Sequence, residues 1–426
     1  MSLPVKYILL SLLIFFFLWK GVLPAFKIVH SDFANYYVAA QLVVAGTPLD
    51  SLYNNAWFQH QIKKQNIQTL GKFSPFPPLS AFILIPLTPF NPLPAQQIFT
   101  VINILFLALG IWLVSKIINW SLLNSALLFF CFGLGLTNNI AFGQVYLIMT
   151  TCLLLAWWLI PARKMLAGLL IGFFTALKYF PLLIIGGFAL LSLPYFHSKE
   201  NSTLRTNQSM AAWCLLFLLL LIGVQLSWFG LPLCIQFFNQ TFLPHLNSNL
   251  TSQEPYSYYY QSWDALFRYL FVADAKFNPA PVVNWPAGLW IGKSIIALLL
   301  AISTGITLWR FKNSIVNRAV FISIPAIAAL VFLPVGATYH FILLLFPLAI
   351  LIEAKLLQGN LLKLILAMCF LIGFIPYSGA IYLGVNINPL LGFPRLWLIA
   401  GLYFIIFAQL SVSFRKAATA SGARGQ

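Results

Sequence analysis

The first long apolar segment of the chain runs directly into Ser31-Asp32-Phe33-Ala34-Asn35-Tyr36-Tyr37-Val38-Ala39-Ala40. This stretch contains Asp32, one of only seven acidic residues among 426. A carboxylate is costly to keep beside hydrocarbon, so an acid at a membrane boundary indicates a functional role. The alternative is structural: Asp32 is only the N-cap of a helix predicted over residues 33–45, where Asp is a common residue.

The composition decides the class of protein. Hydrophobic residues make up 61% of the chain and charged residues 7%, whereas soluble domains carry roughly 25% charged residues. Such a chain cannot cover a water-facing surface, and its apolar runs of ~15–25 residues fit helices that cross a ~30 Å hydrocarbon core. We therefore predict an all-α polytopic membrane protein with one integral membrane domain over residues 1–426.

The net charge of +17 does not indicate a nucleic-acid partner. The basic residues are spread among the ends of apolar segments, as the positive-inside rule requires, and they favour a lipid bilayer with anionic headgroups. The five cysteines show no CxxC spacing and the five histidines no metal-ligand spacing. Neither a disulfide framework nor a metal site nor a cofactor is predicted.

The topology follows from the positions of the basic residues. A first span over 5–26 is retained and leads to an extracytosolic loop over 27–74, in which two amphipathic stretches, 33–45 and about 55–69, predict interfacial helices. The proline-rich segment 75–90 is predicted to be re-entrant, and 165–195 to form two helices that meet near Lys178–Pro181. Further spans are predicted at 95–115, 121–137, 145–160, 211–229, 287–309, 319–334, 338–353, 361–378 and 395–414. The total is about 12 transmembrane or re-entrant helices with both termini cytosolic.

This topology brings the unusual polar residues to one face. Asp32, Lys178, Gln144, the second extracytosolic loop 231–286 and the turn near His340 all fall on the extracytosolic side. Such a grouping predicts one site at the outer membrane interface, open to lipid and to water.

Each of these residues also has a structural interpretation. Lys178, beside Pro181 at a helix break, is an anion-binding candidate or a snorkelling lysine. Arg268 can fork onto a phosphate or simply pair with Asp264 four residues earlier. His340 at the start of a span can be merely hydrogen-bonded, and Gln144 can be a helix cap.

Five pieces of sequence, in order, resemble the motifs of one known family. They are Asp32-Phe33…Tyr36-Tyr37…Ala39-Ala40…Gly46…Leu52-Tyr53, Phe76-Pro77-Pro78-Leu79…Pro86-Leu87, Gly143-Gln144-Val145, Ala167-Gly168…Ala176-Leu177-Lys178…Pro181 and Gln261-Ser262-Trp263…Arg268. Over about residues 30–350 the set resembles glycosyltransferase family 87, which comprises GT-C-type membrane enzymes similar to the polyprenol-phosphate-mannose-dependent mannosyltransferases. The chain departs from the family pattern at Phe76, Tyr260 and Trp263, where Tyr, Asn and Leu are usual.

The resemblance implies an inverting transfer of a hexose, with mannose favoured, from a polyprenyl-phosphate donor to a glycolipid or glycan acceptor at the extracytosolic face, most simply of a bacterial plasma membrane. Asp32 would be the general base that takes the acceptor's proton. Three cationic residues would neutralise the phosphate of the leaving group, and four polar residues would line the sugar and acceptor pocket. The first set is Arg268, Lys178 and His340, and the second is Tyr36, Tyr37, Gln144 and Gln261.

Three other functions remain open from the sequence. A transporter or flippase of lipid-linked sugars needs polar residues along a path rather than on one face. A lipid-linked oligosaccharide ligase differs in the donor, and an inactive relative would only bind polyprenyl phosphate.

Overall fold

The computed structural model describes residues 2–193, 195–196, 201–247, 249 and 254–422. Within these ranges the regular structure is helical, apart from one isolated β-bridge between Asp274 and Asn278. The predicted all-α class is therefore confirmed. Residues 248 and 250–253 of the predicted loop 231–286 lie outside the described part.

The α-helices are α1 (Leu3–Phe17), α2 (Leu23–Lys27), α3 (Ser31–Val44), α4 (Asn55–Lys64), α5 (Pro92–Ile118), α6 (Leu122–Phe130), α7 (Gly133–Phe142), α8 (Tyr146–Leu159), α9 (Lys164–Leu177), α10 (Leu182–Leu191), α11 (Asn201–Phe237), α12 (Leu243–Leu246), α13 (Trp263–Phe271), α14 (Ala287–Phe311), α15 (Asn317–Val331), α16 (Leu345–Glu353), α17 (Gly359–Phe374), α18 (Tyr377–Asn386) and α19 (Pro394–Gly422). Short 3₁₀ segments lie at Pro78–Phe82, Ile85–Leu87, Thr338–Leu344 and Pro389–Gly392, and π turns at Leu18–Val22 and Phe238–Phe242.

The membrane character of the chain is visible in its longest helices. Among the described residues, five helical runs are long and apolar enough to cross a membrane. The number rises to seven if the bent pairs α6–α7, at 76°, and α17–α18, at 81°, each count as one crossing. Six shorter apolar segments, among them α8, α9 and α10, coincide with other parts of the chain predicted to span or enter the membrane, and these spans stay predictions.

The predicted break in segment 165–195 is confirmed. Helix α9 ends at Leu177, Lys178 is extended with φ −150° and ψ 133°, and α10 begins at Leu182. Pro181 disfavours a helical conformation at the residue before it, which explains why the two helices do not continue into one another.

The chain folds as two compact units. The first comprises Met1–Leu182, Trp213–Glu254 and Thr338–Leu343. Its core is built around α3, which buries ten of its fourteen residues. Aromatic side chains of α3, α4 and the proline-rich segment share this core.

Helix α3 is confirmed, but it does not lie on a surface as an amphipathic interfacial helix would. Phe33, Tyr36 and Tyr37 are all fully buried, and so are the alanines between and after them. Small and aromatic residues cover both sides of α3, so packing on one face alone would have left apolar surface exposed. Helix α4 also ends earlier than predicted, at Lys64.

The second unit comprises Leu183–Ala212, Pro255–Ala337 and Leu344–Gln426. Fully buried Arg395 lies at the start of α19, where its Nε donates to the carbonyl of Ile372 at 2.9 Å and another guanidinium nitrogen donates to that of Ile375. The arginine thus satisfies carbonyl groups at the end of α17, and its charge lies over the ring of Tyr377 at 4.4 Å.

The segment predicted as loop 231–286 is partly helical. Helix α11 bends at Gly230, whose φ of 74° is outside the helical range, and helical structure continues from there to Leu246. A glycine adopts positive φ without the strain of a Cβ, so the chain can kink there and begin a new helix with Pro232 near its start.

Candidate active site

Asp32 lies in the first turn of α3 and is partly exposed. The N-cap of this helix is His30, so the alternative interpretation of Asp32 as only an N-cap is wrong. The position still favours an anion, because the backbone N–H groups of the first turn carry the positive end of the helix dipole.

The chain before α3 is held by one buried glutamine. The amide nitrogen of Gln96 donates to the carbonyl oxygens of Ala25 and Ile28, both at 2.6 Å. Its amide oxygen accepts from the backbone N–H of His30 at 2.8 Å. These three hydrogen bonds fix the link between α2 and α3, and thereby the position of the first helical turn, which contains Asp32.

Gln144 is brought to Asp32 by a tight turn between α7 and α8. Gly143 has φ +69°, and a Cβ on it would lie 2.6 Å from Cβ of Phe33, so only glycine lets the turn approach α3 so closely. The Gln144 side chain hydrogen-bonds to the Asp32 carboxylate, which can only accept, and its oxygen lies 3.4 Å from the Tyr36 hydroxyl. One buried amide therefore orients two of the three predicted site residues of α3, Asp32 and Tyr36.

Lys178 is buried beneath this group, in the break between α9 and α10. Its exposed fraction is 7%, and its ammonium lies over three ring faces, at 4.0 Å from the centroid of Phe76, 4.9 Å from Tyr146 and 5.5 Å from Tyr36. Such faces attract a cation but do not neutralise it. The negative charge of Asp32 acts on the same ammonium. The result is a buried cation that is packed against three rings and lies within the electric field of Asp32.

His340 lies in the 3₁₀ segment Thr338–Leu344, and it reaches the same cluster through Tyr146. Its Nε2 is 2.9 Å from the Tyr146 hydroxyl, and the two rings meet edge to face at 4.7 Å. Tyr339 stacks on Tyr146 at 5.5 Å. The structure therefore brings together Asp32, Tyr36, Gln144, Lys178 and His340, as predicted for one site.

Three contributors were missed from the sequence. Tyr146 directly follows the Gly-Gln-Val motif, and that proximity was the available signal. Fully buried Asn139 donates to the carbonyl of Tyr339 at 3.0 Å and accepts from the backbone N–H of Leu147 at 3.2 Å, so it ties the His340 segment to the start of α8. No short-range pattern predicts that link, because it joins residues 200 positions apart.

Lys72 is the third. Buried Asn35 of α3 accepts from the backbone N–H of Lys72 at 2.8 Å and so fixes the lysine beside the helix. Burial lowers the pKa of Lys72 from 10.5 to about 8, while the negative charge of Asp32 opposes that shift. Asp32 thus has two lysines in its electric field.

Tyr37 is placed elsewhere in the first unit. Its hydroxyl donates to the carbonyl of Phe90 at 2.7 Å and lies 2.8 Å from the Gln41 amide nitrogen. Its assignment to the sugar pocket stays a prediction.

Gln261 and Arg268 belong to the second unit. The Gln261 amide nitrogen donates to the carbonyls of Tyr258 and Gly392, and its oxygen accepts from the backbone N–H of Arg395. Arg268 Nε lies 2.7 Å from Asp264, the pairing that the i,i+4 spacing predicted. Lys293 adds a second cation at 2.7 Å from the other oxygen of Asp264.

A comparison with protein families places the chain. The family model for glycosyltransferase family 87 matches residues 75–334, more than half of the 426 residues. The chain belongs to glycosyltransferase family 87. No curated protein and no solved structure matches the chain.

Family membership makes the protein an integral membrane glycosyltransferase with a sugar donor and an acceptor as substrates. The matched region covers Gln144, Lys178, Gln261 and Arg268. It is narrower than the resemblance predicted over 30–350, because the stretch with Asp32 and the segment with His340 lie outside it.

Proposed function

We propose that this glycosyltransferase moves a hexose, with mannose favoured, from a polyprenyl-phosphate-linked donor to a glycolipid or glycan acceptor, with inversion at the anomeric carbon. The reaction takes place at the extracytosolic face of the membrane, within a GT-C-type fold of about 12 transmembrane or re-entrant helices. The observation that carries the proposal is the combination of Asp32, oriented by Gln144, with the buried ammonium of Lys178.

Asp32 acts as the general base. It accepts the proton of an acceptor hydroxyl while that oxygen forms the new bond to the anomeric carbon and the bond from that carbon to the phosphate oxygen breaks. A single displacement requires only one such carboxylate, on the face opposite the leaving group. The Gln144 hydrogen bond fixes the carboxylate in one orientation, and its partial exposure leaves it accessible to an acceptor.

The leaving group is polyprenyl phosphate, and its charge needs a partner. Lys178 supplies a buried cation whose attraction for phosphate is strengthened by its low-dielectric surroundings. His340, which contacts Tyr146, and Arg268 stay predictions for further phosphate partners. Tyr36 and Gln144 line the sugar pocket, and Tyr37 and Gln261 stay predictions for it.

A lipid-linked donor accounts for the location of the site. Lys178 lies between the apolar helices α9 and α10, and Asp32 follows the apolar run that begins at Leu3. A donor with a polyprenyl chain can keep that chain in the bilayer while its phosphate reaches these residues.

The donor class is tested with purified protein in proteoliposomes that contain a total lipid extract as acceptor source. One sample receives a hexose label on polyprenyl phosphate and a second receives the same label on a nucleotide. We expect labelled glycolipid or glycan, with release of polyprenyl phosphate, only in the first. Transfer from the nucleotide sugar, or movement of the labelled donor across the bilayer without transfer, would contradict the proposal.

A further inference from the structure

We propose that Tyr146 is a phosphate-binding residue of this site and that His340 acts through it, as a positioning residue, instead of binding the phosphate itself. The inference rests on the proposed polyprenyl-phosphate donor. It changes the role assigned to His340 and adds a ligand that the sequence motifs did not supply.

Tyr146 is the side chain on which the other groups of the site converge. It is partly exposed, although Val145 and Leu147 on either side are buried. Its ring presents a face to the Lys178 ammonium at 4.9 Å, and its hydroxyl lies 2.9 Å from His340 Nε2. A phosphate drawn to the ammonium therefore comes close to the hydroxyl at the rim of the same ring.

The direction of the hydrogen bond between the two side chains decides what Tyr146 can do. A phenol has one donor, and a phosphate oxygen only accepts. If His340 Nε2 accepts, the single O–H of Tyr146 donates to the imidazole and is not available to donate to phosphate. If Nε2 carries a proton, it donates to the Tyr146 oxygen, and the phenolic O–H is released to donate to the phosphate.

Binding of the donor should therefore select the second arrangement. His340 Nε2–H then holds the Tyr146 oxygen in place and polarises its O–H, which strengthens the bond to the anion. The perpendicular packing of the two rings and the stacking of Tyr339 on Tyr146 keep this geometry fixed. Because Nε2 is committed to Tyr146, the contribution of His340 passes through the tyrosine.

Binding measurements test whether His340 acts on phosphate through Tyr146, and they do not depend on turnover. Farnesyl phosphate is titrated into the purified full-length protein in detergent by calorimetry, and farnesol serves as the probe that lacks the phosphate. The variants are Tyr146→Phe, His340→Leu, His340→Gln and the double variant Tyr146→Phe/His340→Leu. Tyr382→Phe, a change at an exposed tyrosine of the second unit, is the matched control.

We expect Tyr146→Phe to raise the Kd for farnesyl phosphate by about tenfold to a hundredfold, the range for a hydrogen bond to a charged group. His340→Leu should have a similar effect, and the double variant should bind no more weakly than Tyr146→Phe alone. His340→Gln should remain within a few-fold of wild type, because its amide N–H can replace Nε2–H. Farnesol binding should not change in any variant.

Three results would overturn the inference. If His340→Leu weakens binding by the same factor with and without the Tyr146 hydroxyl, His340 contacts phosphate directly. If Tyr146→Phe binds like wild type, Tyr146 is not a ligand; this variant loses a single oxygen atom and stays informative even where His340→Leu fails to fold. If wild type binds farnesyl phosphate no better than farnesol, the donor class in the proposed function fails as well.

Discussion

Two acidic residues, one in each unit, show different ways to hold a carboxylate in a membrane protein. In the second unit, each carboxylate oxygen of Asp264 lies 2.7 Å from a cation, Arg268 Nε on one side and Lys293 Nζ on the other. In the first unit, Asp32 receives the side-chain amide of Gln144, while Lys178 and Lys72 act on it as nearby charges. The two cations beside Asp264 neutralise its charge, whereas the amide beside Asp32 orients its carboxylate.

The difference assigns different roles to the two acids. A carboxylate held by two direct ion pairs has both oxygens occupied and presents neither to a substrate hydroxyl. A carboxylate that is fixed by one neutral amide and partly exposed keeps an open side for a substrate hydroxyl. Asp264 is therefore expected to support the fold and Asp32 to support the chemistry.

The largest effect is expected for Asp32→Asn. The amide keeps the shape of the side chain but cannot take the acceptor's proton, so kcat should fall by about 10²- to 10⁴-fold. Sugar transfer from labelled polyprenyl-phosphate hexose measures the loss, and thermal unfolding in detergent should show an intact fold. Asp50→Asn, at an exposed acid of the same loop, should transfer like wild type. Normal transfer by Asp32→Asn would remove the base from the proposed mechanism.

The largest loss of thermal stability is expected when Asp264 is replaced. Asp264→Ala leaves Arg268 and Lys293 without their shared carboxylate, and breaking a buried pair costs about 3–5 kcal/mol. We expect a clear drop in the thermal unfolding midpoint of the purified protein. Asp32→Ala, measured in parallel, should lower the midpoint much less. An equal loss in both variants would mean that the two clusters serve the fold alike.

Lys178 should separate function from stability in a single variant. Methionine fills a similar volume among the three rings but has no charge, so Lys178→Met should raise the KM for donor by about tenfold to a hundredfold. The fold should be unaffected or more stable, because burying a charge costs free energy. Lys293→Met should instead lower stability, since it removes a partner of Asp264. Destabilisation by Lys178→Met without a change in KM would make Lys178 a structural residue.

The sequence predicted part of this contrast. Composition gave the membrane class, and the prolines gave the break at Lys178, because both are local effects of residue type. The Asp264–Arg268 pair followed from helical spacing. The burial of α3 was not predictable, since the segments that cover it come from distant parts of the chain. The Asn139–Tyr339 and Gln144–Asp32 links have the same origin and leave no periodic signal.

The smallest effect concerns Lys72 and is seen in the pH dependence. Because burial lowers the pKa of Lys72 to about 8, its charge is lost as the pH rises through that value. A phosphate monoester, with its second pKa near ~6, stays dianionic over the same range. The affinity of wild type for farnesyl phosphate should therefore fall by about two- to fivefold between about pH 7 and pH 9, the size expected for a partly screened ion pair.

The Lys72→Gln variant should lack this fall in affinity for farnesyl phosphate. Lys178 and His340 are present in both proteins, so the difference between the two binding curves belongs to Lys72. Stability should move in the opposite direction: between pH values of about 8 and 10.5, the unfolded chain keeps a proton that native Lys72 has released, so this residue makes the fold more stable as the pH rises. Two curves of the same shape would show that Lys72 lies beside Asp32 without contributing to anion binding.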